Sequence, residues 1–134
     1  MSVIENNIFK MLGEKKKTES YKDLEVWKKG VRFSIEIYKI TTVFPITEQY
    51  GLTNQLRRAA ASFPANIAEG YGRDSTKNYF QFLRTSRGSL NEVETFLYIA
   101  YGLKYLDKES IDVLIQKSTE LGKMINSLIK KLNY

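Results

Sequence analysis

Residues 62–73 read SFPANIAEGYGR, and the fold turns on how this stretch is read. Leu52, Leu56, Ala59/Ala60, Phe63 and Ile67 recur at helical spacing, so a helix is expected within residues 47–70. Pro64 falls inside that pattern. Proline has no N–H and crowds the preceding turn, so it should kink the helix near residue 60. In a regular helix interior that costs roughly 3 kcal/mol, and packing that favours the bend is the simplest offset. Gly70 and Gly72 are expected as left-handed caps where the helix stops. Thr47 or Thr53 is the expected N-cap, with Gly51 breaking the first turn. Ala59, Ala60, Ala61, Ala65 and Ala68 keep nearly every side small, so this helix should be the most enclosed.

Beside the apolar stripe runs a polar one: Arg58, Ser62, Asn66, Glu69 and Arg73. An enclosed helix must give such groups partners, because a buried unpaired carboxylate costs several kcal/mol. A structural polar network of Asn66 and Glu69 with Glu92 and Glu94 of the next helix is expected. A catalytic role for Glu69 is the weaker alternative.

Three more helices flank this one. The first is expected over about 22–43, with Ser20 and Asp23 spaced as a capping box and Pro45 beyond its end. Leu24, Trp27, Val31, Ser34/Ile35 and Tyr38 form its three-four stripe. The third, about 75–104, is capped by Asp74 or Ser75. Its stripe is Tyr79, Phe82/Leu83, Ser86, Leu90, Val93, Leu97 and Ala100. The fourth, about 108–132, follows Asp107 and repeats Ile111, Leu114, Ser118, Leu121, Ile125, Leu128 and Leu132. Four amphipathic helices with short connections predict an all-α, antiparallel up-down four-helix bundle with a kinked second helix, spanning residues 21–134. Residues 1–20 read as a mobile N-terminal tail.

Composition narrows the chemistry. The 134 residues contain no Cys and no His. That removes disulfides, imidazole-held zinc or haem, Ser-His-Asp triads and the usual neutral-pH proton shuttle. No metal site or cofactor is expected. Glu92 and Glu94 are two apart on a helix and point to different sides, so they form no facing acid/base pair. GYG lacks the lysine and spacing of a phosphate loop. A non-catalytic protein is expected. No apolar run approaches bilayer length, and the first residues lack a signal-peptide layout, so a cytoplasmic location is the default.

The stretches LTNQLRRAAASFPANIAEGYGR and YFQFLRTSRGSLNEVETFL, with YKDLEVWKKG before them, resemble one family. It is the bacterial four-helix-bundle family first noted as proteins encoded by intervening sequences in 23S rRNA genes. The resemblance covers about residues 21–132. Gln55, Arg57, Arg58, Asn66, Ala68, Glu69, Gly70, Arg73, Gly88, Ser89, Glu92 and Glu94 match its pattern. Ser86 departs from it: the family often has alanine there, and the added hydroxyl should blur the packing. The family in turn resembles the accessory variability determinant protein of diversity-generating retroelements. That resemblance implies a homopentameric barrel, an RNA or DNA partner, and docking to a reverse transcriptase. The old S23 ribosomal label does not imply a ribosomal role.

Charge gives the residue-level expectation. The net charge is +6, and residues 52–90 carry +4 of it. Arg57, Arg58, Arg73, Lys77, Arg84 and Arg87 are the candidate nucleic-acid-binding residues. Lys77, Gln81, Arg84 and Asn91 share one face of the third helix, with Arg87 at its edge. A phosphate-binding stripe should be salt-sensitive and poorly sequence-selective. Tyr21, Tyr71, Tyr79 and Tyr105 are candidate base-stacking rings or core residues. Two functions stay open: an oligomeric nucleic-acid-binding adaptor, and a structural protein-interaction scaffold that binds no nucleic acid.

Overall fold

The computed structural model describes residues 20–134. The tail expected over residues 1–20 lies outside the described residues, apart from Ser20. Among those residues the fold is four α-helices and no strand: α1 (Glu25–Ile40), α2 (Leu52–Tyr71), α3 (Thr76–Gly102) and α4 (Lys108–Lys131). Short 3-10 turns flank α1 and precede α2. The helices pack in a ring, α1 on α2, α2 on α3, α3 on α4 and α4 back on α1, with the α2–α3 contact the most extensive. Side-chain pairs fix the directions. Arg57 near the start of α2 reaches Thr41 beyond the end of α1, while Ser34 further back meets Ala60. Ser62 meets Ser89 across α2 and α3, and Ser118 meets Glu94 across α3 and α4. Every neighbouring pair is antiparallel.

Local chemistry starts the helices largely where expected. Ser20 and Asp23 form a reciprocal capping box around the turn Tyr21–Asp23. Ser75 caps α3 by accepting the Asn78 N–H at 3.1 Å, and Asp107 caps α4 by accepting the Ser110 N–H at 2.8 Å. α2 differs. Its N-cap is Gly51, and neither Thr47 nor Thr53 caps it. The Glu48 carboxylate accepts the Leu52 N–H at 3.4 Å instead.

The two glycines of the opening stretch are not left-handed caps. No described glycine has a positive φ; Gly72 ends α2 at φ −80°, and Gly70 lies inside the helix, buried. Gly70 is small for contact rather than for handedness. A Cβ there would stand 2.7 Å from the Phe82 Cβ and 3.0 Å from the Tyr79 ring. The glycine lets α2 and α3 close on each other.

The core centres on α2, which buries Leu56, Ala60, Phe63 and Ile67 completely. Ile37 of α1, Leu83, Val93 and Leu97 of α3, and Ile125 of α4 surround them. Pro64 is buried inside α2, and the helix continues past it. Ser86 is also fully buried, and its hydroxyl donates to the Phe63 carbonyl at 2.9 Å. It joins α3 to α2 rather than loosening them.

On α1 the core stripe is Val26, Phe33, Ser34 and Ile37. Of the stripe read from the sequence, Ser34 is buried, and Leu24 and Trp27 are partly buried against the core; Val31, Ile35 and Tyr38 line a groove beside α2 instead. The helix carries two apolar stripes, and spacing alone does not rank them.

Candidate nucleic-acid interface

Helix α3 turns Lys77, Gln81, Arg84, Asn91 and Thr95 outward, all exposed. Their spacing follows from the opposite face, where Leu83, Leu90, Val93 and Leu97 are drawn into the core. Lys77 and Arg84 are seven residues apart, about 10 Å along the axis at 1.5 Å per residue. That is within the reach of two flexible cations on neighbouring or next-neighbouring phosphates. Lys77 forms no ion pair among the described residues. The Arg84 guanidinium lies 5.7 Å from the Phe80 ring centre, a contact that leaves its charge uncompensated.

The remaining candidates divide. Exposed Arg58 lines the groove between α2 and α3 with Gln55, Ser62, Glu92 and Phe96. Arg87 stands on the opposite edge of α3 and donates to the Asn126 Oδ1 at 3.0 Å. Lys123 lines the same α3–α4 groove. Arg73, in the α2–α3 connection, is paired with Glu69 and lies 4.8 Å over the Phe82 ring. Arg57 stands apart. It faces α1, donating to the Thr41 hydroxyl at 2.8 Å and the Tyr38 carbonyl at 3.2 Å. The fold therefore gathers Arg58, Lys77, Arg84 and Arg87 around α3, sets Arg73 at its N-terminal end, and sends Arg57 elsewhere. Lys123 and Asn126 were not read as part of this surface; their place on the polar face of α4, opposite Leu121 and Ile125, is the signal that points to them.

The polar residues of α2 and α3 satisfy one another locally. The Asn66 amide donates to the Ser62 carbonyl and hydroxyl, both at 2.8 Å, and Ser89 donates to Ser62 at 2.9 Å. Glu69 pairs with Arg73, Glu94 accepts the Ser118 hydroxyl at 2.9 Å, and Glu92 is exposed. The expected single network is three separate contacts plus a solvated carboxylate. Glu69, Glu92 and Glu94 lie in different surroundings. Among the described residues, no three His, Cys, Asp or Glu side chains are grouped to hold a metal.

The four tyrosines considered as stacking platforms are engaged within the bundle. Tyr21 meets Trp27 edge-on at 5.2 Å, Tyr71 meets Tyr79 at 6.0 Å, and Tyr105 lies 5.4 Å from Phe44. Burial pushes the Tyr79 hydroxyl up to about 12, with Tyr71 adding to the effect. The Tyr105 hydroxyl donates to Glu48 at 3.0 Å, which raises it above the ordinary value.

The sequence pattern of the 23S rRNA-intervening sequence protein family matches residues 22–127, a span holding α1 to α3, most of α4 and every candidate cation. The chain belongs to that family. A crystal structure of a protein with unknown function from the S23 ribosomal protein family of Bacteroides thetaiotaomicron VPI-5482 shares the fold. Its TM-score is 0.73 at 24% identity, over 78% of this chain and 95% of that one. None of the curated proteins matches the chain. Membership accounts for the bundle and for the paired motifs on α2 and α3. Neither of these two likenesses carries the retroelement relationship. No helix among the described residues is long and apolar enough to cross a membrane.

Proposed function

We propose that this family member is a non-catalytic, oligomeric nucleic-acid-binding adaptor that contacts phosphates through the outward corner of α3. One observation carries the reading. Lys77 and Arg84 project from a single exposed helix face with no acid among the described residues paired to either, and Arg58 and Arg87 flank them on both sides. Phosphate contacts of this kind position a nucleic acid without reading its bases, and repetition of the corner in an oligomer would multiply a weak site. Assembly as a pentamer, docking of a reverse transcriptase and a cytoplasmic setting are parts of the same proposal, drawn from the sequence resemblance. The test is fluorescence anisotropy with labelled RNA, DNA and hybrid duplexes at low and physiological salt. Binding that weakens steeply with salt is expected; no binding to any of them at low salt overturns the proposal.

The scaffold reading has its own observation. Val43, Ile46 and Tyr50, at one end of the bundle, are 76%, 80% and 87% exposed. Large apolar side chains left in water are a mark of contact surfaces. A sizing-column peak with no excess absorbance at nucleic-acid wavelengths, and no anisotropy change, would favour this reading.

A further inference from the structure

The long contact between α2 and α3 opens into a polar groove. Its volume is about 320 Å³, and Gln55, Arg58, Ala59, Ser62, Glu92 and Phe96 line it. The Ser62–Ser89 hydrogen bond closes one end and sets the register. Counting out from that bond along two antiparallel helices, Arg58 comes opposite Glu92, and Gln55 opposite Phe96. Buried Ala59 keeps the floor low. Phe96 packs against the core while lining the groove, so its ring is held in place.

Arg58 and Glu92 stand on opposite walls without forming an ion pair, and neither has another partner among the described residues. Elsewhere on the surface acids and bases close up: Glu25 with Lys28, Glu69 with Arg73, Asp112 with Lys108. Here an exposed guanidinium and an exposed carboxylate stay apart, beside an aromatic ring. That set suits a flat ligand with a negative group at one end and N–H donors at the other.

We propose that the α2–α3 groove takes one unpaired guanine of a single-stranded segment, its ring against Phe96, its N1–H and N2–H on the Glu92 carboxylate, and an adjoining phosphate on Arg58. This rests on the nucleic-acid reading and adds a base-selective position to it. Unpaired bases are read by stacking and through their Watson–Crick edges. A carboxylate only accepts hydrogen bonds. Guanine alone sets two N–H donors side by side on that edge; adenine, cytosine and uracil each put an acceptor beside the donor, which Glu92 repels. The groove also borders the cationic face: Glu92 follows Asn91, and lies eight residues, about 12 Å, along α3 from Arg84. One strand can therefore lay its phosphates on that face and turn a base into the groove.

The test titrates the full chain at low salt with labelled single-stranded RNA about ten nucleotides long, all uridine except one central base. Guanine at that position should bind at least about tenfold tighter than adenine, cytosine or uracil, the scale of one bidentate base contact. Inosine, which lacks the 2-amino group, should lose much of that gain. Glu92→Gln should bring the guanine oligonucleotide down to the affinity of the others, with the thermal midpoint held. Arg58→Gln should weaken all four alike. A guanine preference that survives Glu92→Gln overturns the proposal. Equal affinity for all four bases overturns it too, and if Lys77→Glu then weakens every oligonucleotide, the phosphate face stands without the base site. Absence of binding to any of them overturns both.

Discussion

The Ser34 hydroxyl donates to the Ala60 carbonyl at 2.7 Å, across the α1–α2 contact. Ala60 is the residue four before Pro64, so its carbonyl is the one that the proline ring leaves without an amide donor. Ala60 is fully buried, and Ser34 nearly so. The helix tolerates its interior proline because a neighbouring helix supplies the missing donor. Ser34→Ala should therefore cost about 1–3 kcal/mol, the penalty for an unsatisfied buried carbonyl. In a Pro64→Ala background the amide returns, and the same substitution should cost less. A double-mutant cycle by urea unfolding should give a coupling of about 1 kcal/mol; purely additive effects would separate Ser34 from the proline.

Glycines on the two central helices should respond oppositely to alanine. At Gly70 a methyl meets the Phe82 Cβ and the Tyr79 ring, and overpacking of this kind costs about 1–3 kcal/mol. At Gly88, mid-helix on α3, a Cβ meets nothing within 4 Å. Gly88→Ala should stabilise by about 0.5–1 kcal/mol through helix propensity. Denaturant midpoints of the two variants on either side of wild type would bear this out.

Much of this was legible because it is local. Ser20 with Asp23, and Asp107 before α4, are short-range capping signals, and both form. The stripes of α2, α3 and α4 were unambiguous, since each has one apolar face. α1 has two, and spacing alone does not say which of them is buried. Gly70 and Gly72 were misread because a glycine at a helix end suits a left-handed cap and a close helix contact equally well, and only the position of Phe82 decides. The hydroxyl that serves the Ala60 carbonyl sits 26 residues away in the chain, beyond any local pattern. Segregation of charge toward α3 was visible, but adjacent Arg57 and Arg58 could not be assigned to different grooves until the neighbours of α2 were known.

Lys104 holds a left-handed position beyond the end of α3. Its φ is 65°, and α3 ends there with the Lys104 N–H on the Tyr101 carbonyl and the Tyr105 N–H on the Ala100 carbonyl, both at 2.9 Å. This paired termination needs a left-handed residue after the helix, usually glycine. Gly102 comes two residues too early. Lys104→Gly should raise stability by about 1 kcal/mol, since a left-handed non-glycine residue costs of that order. A thermal midpoint that falls would contradict it.

Charge reversal on α3 should separate paired from unpaired cations. Lys77→Glu and Arg84→Glu should each weaken duplex DNA binding and flatten the plot of log affinity against log salt. Each lost phosphate contact should remove about 0.9 from the slope. Arg73→Gln should do less, because Glu69 already offsets that charge. Equal losses for all three would mean that net charge acts, and not this face.

Tyr79 offers a test in alkali. In the unfolded chain its hydroxyl ionises near the ordinary 10.0; in the bundle, burial holds the neutral form up to about 12. A raised folded value means that the stability it confers is complete below pH 10 and is lost as pH rises through 12. Tyr79 makes its ring contact with Tyr71 and closes over Gly70, and a phenyl ring keeps both. Tyr79→Phe should therefore match wild type at neutral pH and resist the alkaline loss that wild type shows between those two values. Urea midpoints measured across that window decide it: parallel curves for the two proteins would show that Tyr79 is not the group that titrates.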